Sequence, residues 1–191
     1  MFDWSMKRQR TSYAPQTQIR SRPRQPLTSS VRSLNVRTPD WELLTGLSLK
    51  DTSEILGLAS QTRVPKTDVL FRLGDEAKNL LLVRSGRVRL TFPMRIGNEQ
   101  KDILAEERVP GQMIGWSALI PPHRFTLQAV ATTEAELLVL PGQALRQLFR
   151  EKPRVGYTVL TNLAQIVGQR LTIFQTMWIR ELQRGVESHR A

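Results

Sequence analysis

Apolar and polar residues alternate with a period of two through the middle of the chain. Leu80, Leu82 and Arg84 fall on one strand face, with Leu81 and Val83 on the other. Val88, Leu90 and Phe92 alternate with Arg87, Arg89 and Thr91. That period predicts strands with one wetter face. Ser85-Gly86 lies between the two runs, where a tight hairpin needs a residue tolerant of positive φ. Ile96-Gly97-Asn98-Glu99 supplies a second turn, before Lys101 to Ala105. Short strands with turn signals at intervals of roughly 8–12 residues predict a sandwich or barrel.

The flanks carry helical patterns. Asp40 is placed to cap a short helix from Trp41, and Ser48 or Asp51 to cap a second over 49–60. The strands occupy about 61–140, and Pro141-Gly142 breaks them. Residues 143–151 predict a helix with Leu145, Leu148 and Phe149 inward, stopped before Pro153. From Val155 to about Arg184, Leu160, Leu163, Val167, Leu171, Phe174, Trp178 and Leu182 recur at spacings of 3, 4, 4, 3, 4 and 4. That is one stripe of an amphipathic helix. Ile166, Ile173, Met177 and Ile179 lie off the stripe, so more than one face is apolar.

Charge separates the first 39 residues from the rest. Of the net +11, Met1 to Pro39 carries +7: Lys7, Arg8, Arg10, Arg20, Arg22, Arg24, Arg32 and Arg37 against Asp3. This arm is rich in Ser, Thr, Gln and Pro and has no structural period, so it is expected to be disordered alone. Its charge and scattered aromatics (Phe2, Trp4, Tyr13) suit nucleic acid, anionic lipid or an acidic protein. A solvated tail and an Arg- and Ser-rich transit peptide are the alternative readings. The 191 residues contain no cysteine, which excludes disulfides, zinc ribbons, thiol catalysis and cysteine-ligated iron–sulfur clusters. No apolar run reaches the ~18–20 residues that span a bilayer, and the expectation is a soluble cytoplasmic protein.

Three glycine turns in order carry a resemblance. Phe71-Arg72-Leu73-Gly74-Asp75, Val83-Arg84-Ser85-Gly86-Arg87-Val88, and Pro110-Gly111 leading to Gly115 are similar to the turns of the cyclic-nucleotide-binding domain family, the sensor fold of cAMP-receptor-type regulators. The similarity spans about Trp41 to Leu182. It implies an α+β fold: a double-stranded, jelly-roll-like β-roll with short N-terminal helices and a long C-terminal helix. The implied division is an arm, 1–39, and a domain, 40–191. In the family the long helix covers the pocket and pairs with its mate, and transcription factors continue into a winged helix, for which residues 181–191 leave no room.

The cassette departs from the family at both charged contacts. The resemblance places a ribose-binding Glu after Gly115, where this chain has Trp116, followed by Ser117 and Ala118. Aligned from the strand Thr133 to Leu140, Phe125 takes the position of the phosphate-binding Arg, with Arg124 one residue early and Thr126 after it. Neighbours on a strand point to opposite faces, so Arg124 aims away from a phosphate bound in the family position. Retained cAMP binding is not expected. Trp116 and Phe125 either fill the old site with core or line an apolar pocket for another small molecule. His123 is read as surface, although a haem-sensing branch of the family uses His. Asp75-Glu76 and Glu106-Glu107 are read as solvated acids. Arg84, Arg87, Arg89 and Arg95 either extend a basic surface or form an ordinary outward face.

Two functions remain. One is a non-catalytic structural or accessory subunit, without cofactor or metal, docked into a protein or nucleoprotein assembly through Lys7, Arg8, Arg10, Arg20, Arg22 and Arg24. The other is a homodimeric sensor of an effector other than cAMP, paired through Leu160, Leu163, Val167, Leu171, Phe174 and Trp178. An enzyme is not expected.

Overall fold

The computed structural model describes residues 40–188. The arm and its six proposed contact residues lie outside the described residues. Eight strands form two four-stranded antiparallel sheets: β1 (Ser60–Val64), β2 (Val69–Phe71), β3 (Asn79–Ser85), β4 (Val88–Ile96), β5 (Glu99–Arg108), β6 (Met113–Ile114), β7 (Gln128–Ala131) and β8 (Ala135–Pro141). One sheet runs β1-β8-β3-β6 and the other β2-β7-β4-β5. Their facing side chains make the core, with Leu80, Leu82, Val88, Met113, Ile114, Leu137 and Leu140 fully buried. The β-roll and its helices are therefore those the sequence implies.

Gly86 makes the β3–β4 hairpin possible. Its φ is +80°, and a Cβ there would lie 2.2 Å from the carbonyl oxygen of Glu134. Only glycine lets the β7–β8 connection pass so close.

The alternation fails in two places. Leu80 to Val83 are all buried, because β3 lies inside its sheet between β8 and β6 with the helical layer packed on the same core. On β4, Val88 and Leu90 are buried as expected, but Thr91 is also buried and Phe92 is 43% exposed. A bulge explains the change in pairing: Leu90 faces Glu106, whereas Thr91 faces Leu104. Beyond it the β4–β5 hairpin continues out past the core.

The first helix is a 3-10 turn, Glu42–Leu44, flanked by Trp41 with no side-chain cap, so Asp40 does not cap it. α1 spans Leu49–Gly57, ending before Leu58 because the chain turns into β1. Ser48 is its cap: Asp51 N donates to Ser48 Oγ at 3.1 Å, and Ser48 Oγ donates to Asp51 Oδ2 at 2.6 Å. α2 spans Gly142–Glu151. α3 runs unbroken over Pro153–Ser188, 36 residues, with proline at its first position. At 1.5 Å per residue it is about 54 Å long, longer than the expected 155–184. Val155, Val159 and Leu163 pack it onto the core, and Ile166 and Val167 are half-buried against it. From Leu171 onward the helix leaves the roll behind.

Candidate functional site

The cassette begins where β6 ends. Gly115 turns the chain at φ +75°, and Trp116–Ala118 form a 3-10 turn. Ser117 and Ala118 are buried and Trp116 is half-buried against the core. α2 locks the turn from behind: a Cβ on Gly142 would sit 2.6 Å from the carbonyl oxygen of Ala118, and the Arg146 guanidinium donates to that same oxygen. His123 is not simply on the surface. It is half-buried, and its Nδ1 lies 3.0 Å from the Ser117 carbonyl oxygen, which closes the cassette on itself.

Phe125 enters the core. Its ring stacks on Phe71 with centroids 3.7 Å apart and planes 12° from parallel. Its Cε1 would stand 3.0 Å from a Cβ on Gly115. The backbone holds it there: Phe125 N donates to Asp75 O at 2.9 Å, and Gly74 N donates to Phe125 O at 2.8 Å. Arg124 is exposed and donates through Nη1 to Gly74 O at 2.9 Å, and Thr126 is exposed. The cassette therefore presents a buried aromatic pair at the position the resemblance gives to the phosphate contact. The guanidinium of Arg124, the preceding residue, is committed to a turn carbonyl.

A second cluster ties α3 to the cassette. Arg170 donates through Nη2 to the carbonyl oxygen of Met113 at 3.3 Å, and it pairs with Glu42 at 3.5 Å and Glu106 at 3.7 Å. Glu42 Oε1 accepts from Met113 N at 2.9 Å. Both backbone polar groups of Met113, two residues before Gly115, are thus held by this ion pair. Glu106 also pairs with the buried Arg108. Glu106 is accordingly a member of a partly buried charge network, not a solvated acid, because α3 and the 3-10 turn of 42–44 cover that end of β5. Burial, and then the neighbouring Arg108, lower the pKa of Arg170 from its ordinary value. Nothing local in the sequence marks these four residues.

The basic residues of the β3–β4 hairpin are divided. Arg84 pairs with Glu136 at 4.0 Å and donates to Gln61, and Arg87 pairs with Glu107 at 3.1 Å. Arg89 and Arg95 are exposed. Asp75 Oδ2 accepts from Arg72 N at 2.9 Å and so caps its own turn. Of the helix-pairing stripe, Leu163 is buried in its own core and is not available to a mate, because α3 crosses the roll at that turn. Leu160, Leu171, Phe174 and Trp178 are exposed, and Val167 is half-buried. Among the described residues no three metal-ligating side chains cluster, and no helix is long and apolar enough to cross a membrane.

Comparison with known proteins agrees with the fold. Residues 61–152 match the family described as the cyclic nucleotide-binding domain. The chain is 30% identical over 129 residues to the cyclic AMP receptor protein of Thermus thermophilus, covering 68% of this chain and 56% of that protein. The crystal structure of the Thermus thermophilus catabolite activator protein superposes with a TM-score of 0.60 at 27% identity, over 72% of this chain and 61% of that one. A cyclic-nucleotide-binding-type protein of Geobacter metallireducens GS-15 gives 0.58 at 25% identity, over 69% and 92%. The chain spans little more than half the length of its Thermus relative. Residues 61–152 thus form a domain of the cyclic-nucleotide-binding type.

Proposed function

We propose that this regulatory-type domain has lost cAMP binding and acts, without catalysis, as an accessory subunit docked through its basic arm. The observation that carries the first half is the Phe71–Phe125 stack. A cyclic phosphate at that position would have to displace a buried ring, and the residue there is Phe125, not an arginine. The bidentate Arg–phosphate contact is what makes such sites strong, and Trp116 offers no carboxylate to a ribose. The second half rests on the +7 arm, whose composition favours an anionic surface over a fold of its own.

Affinity capture from native lysate tests the docking, using the full chain beside a version lacking residues 1–39, with and without nuclease. A stoichiometric partner lost with the arm supports it, and nuclease sensitivity identifies nucleic acid as the bridge. Recovery of both versions without a partner, each as a dimer, favours the second reading: a dimeric sensor of another effector. The observation behind that reading is the exposed distal half of α3, where Leu171, Phe174, Trp178 and Leu182 are each more than half exposed.

A further inference from the structure

α3 carries a second stripe besides the one read as a pairing seam. Val159, Leu163, Ile166, Arg170, Ile173 and Met177 recur at spacings of 4, 3, 4, 3 and 4. At about 100° per residue this keeps them on one side of the helix. That side faces the roll: Val159 and Leu163 are buried, and Ile166 is half-buried against the core. Beyond Arg170 the roll no longer covers it, and Ile173 and Met177 are 62% and 53% exposed. Leu171, Trp178 and Leu182 lie about 130° further round the helix. A seam through them is narrow and leaves Ile173 and Met177 bare.

Residues 42–46 run antiparallel to α3 along this side. Glu42 pairs with Arg170 at 3.5 Å. Leu43 O and Thr45 O accept from Asn162 Nδ2 at 3.0 and 2.8 Å. A Cβ on Gly46 would stand 3.9 Å from Thr158 Cγ2. As the chain advances from 42 to 46, the helix position beside it falls from 170 to 158. Followed backward from Glu42, the same course leads up α3 toward Ile173 and Met177. The residues that precede Asp40 divide by composition at Pro26. Residues 1–26 hold Lys7, Arg8, Arg10, Arg20, Arg22 and Arg24, whereas residues 27–39 hold two arginines and four aliphatic residues, Leu27, Val31, Leu34 and Val36.

We infer that residues 27–39 dock in cis on this stripe, with Leu34 and Val36 covering Ile173 and Met177. The arm then has two parts with different tasks. Its aliphatic part is fastened along α3, and its basic part, Lys7 to Arg24, is presented beyond the roll for an anionic partner. The reach matches: six residues from Glu42 back to Val36 extend to about 20 Å, and seven helical residues from Arg170 to Met177 span about 10 Å. Spacing matches as well. Leu34 and Val36 fall on one side of an extended chain about 7 Å apart, and Ile173 and Met177 are about 6 Å apart along the helix. Tethering favours this occupant over a free one. A short flexible linker gives an effective concentration of the order of millimolar, so a contact of few side chains is held here that a separate peptide would not hold.

Amide hydrogen exchange of the full chain tests this, comparing the wild type with Leu34→Asp/Val36→Asp. Amides 173–181 of the variant are expected to exchange at least tenfold faster, because that part of α3 loses its cover. Amides 80–83, in the core of β3, should keep their wild-type rates and so show the roll intact. Equal rates at 173–181 overturn the inference. Because the chain has no cysteine, Val36→Cys/Met177→Cys gives an independent readout beside Val36→Cys/Ile179→Cys, whose helix position lies at nearly the same height on the opposite side of α3. Mild oxidation should bridge the first pair within one chain, with at least fivefold higher yield than the second on a non-reducing gel. Equal yields, no bridge, or a bridge at dimer mass contradict the cis contact. Capture of a partner through Lys7 to Arg24 is read separately, so either claim can fail without the other.

Discussion

Phe125 lies flat on Phe71, with ring centroids 3.7 Å apart, and so joins the end of the cassette to the Gly74 turn through core packing. The two rings are 54 residues apart in sequence and meet only because β2 and β7 are paired neighbours. Where the resemblance places a charged contact for a ligand, this chain has a contact with itself.

That contact should be measurable as stability. Phe125→Ala and Phe71→Ala are each expected to cost about 3–5 kcal/mol in urea unfolding, since each leaves a cavity in a packed core. The double variant should cost less than the sum, by about 0.5–1.5 kcal/mol of ring–ring coupling. Strict additivity would show that the stack contributes nothing beyond burial.

The hairpin glycine should be irreplaceable. Gly86→Ala brings a methyl carbon within 2.2 Å of Glu134 O and 2.7 Å of Ala135 Cα, at a φ that strains any L residue. Loss of about 3 kcal/mol or more is expected. Gly168→Ala meets nothing within 4 Å and should stabilise α3 by about 1 kcal/mol. Comparing the two melting curves checks both.

The clamp on Met113 makes α3 part of the cassette's support. Arg170→Met keeps the aliphatic stem and removes the cation, leaving Glu42 and Glu106 facing each other across a partly buried site. About 3 kcal/mol of destabilisation is expected, with only partial recovery in Arg170→Lys, which lacks the planar fork. The pH dependence follows from the direction of the shift. Burial and Arg108 lower the Arg170 pKa, so its charged form is disfavoured in the fold, and stability gains from its deprotonation only as pH rises through that lowered value toward the guanidinium range. Urea unfolding of wild type between about pH 6 and 9 should therefore show no slope from Arg170, because a guanidinium remains protonated there. A slope in that window that disappears in Arg170→Met would contradict this assignment.

If the arm engages nucleic acid, its affinity should fall steeply with salt. Neutralising about six phosphates gives a slope near −5 in log K against log salt. Deleting residues 1–39 removes 7 of the 11 net charges and should abolish most of the binding and of the slope in fluorescence anisotropy. A salt-independent affinity would assign the arm to another kind of partner.

Much of the fold was legible because its turns need glycine. Gly74, Gly86 and Gly115 all hold positive φ, and the runs between them alternate, so strands and hairpins follow from local rules. The amphipathic stripe on α3 was equally visible. What could not be read was where the roll stops supporting it, which depends on the size of the packed sheets and not on the helix itself. The Thr91 and Phe92 reversal of burial reflects a bulge placed opposite Leu90 by the partner strand. The Glu42–Glu106–Arg108–Arg170 network joins the N-terminal turn, a strand and the last helix, and charges so distant in sequence carry no spacing signal. Phe125 was legible as a departure at one family position, but its partner Phe71 was not, because the stack arises from strand pairing.

The most direct test of the central claim is the melting temperature of the full chain with cAMP and cGMP at millimolar concentration. A ligand far above its dissociation constant must stabilise the folded state. With Phe125 in the core, no shift is expected from either nucleotide. A rise of several degrees would mean that the aromatic stack gives way to a cyclic phosphate, and the account of a filled cassette would be wrong.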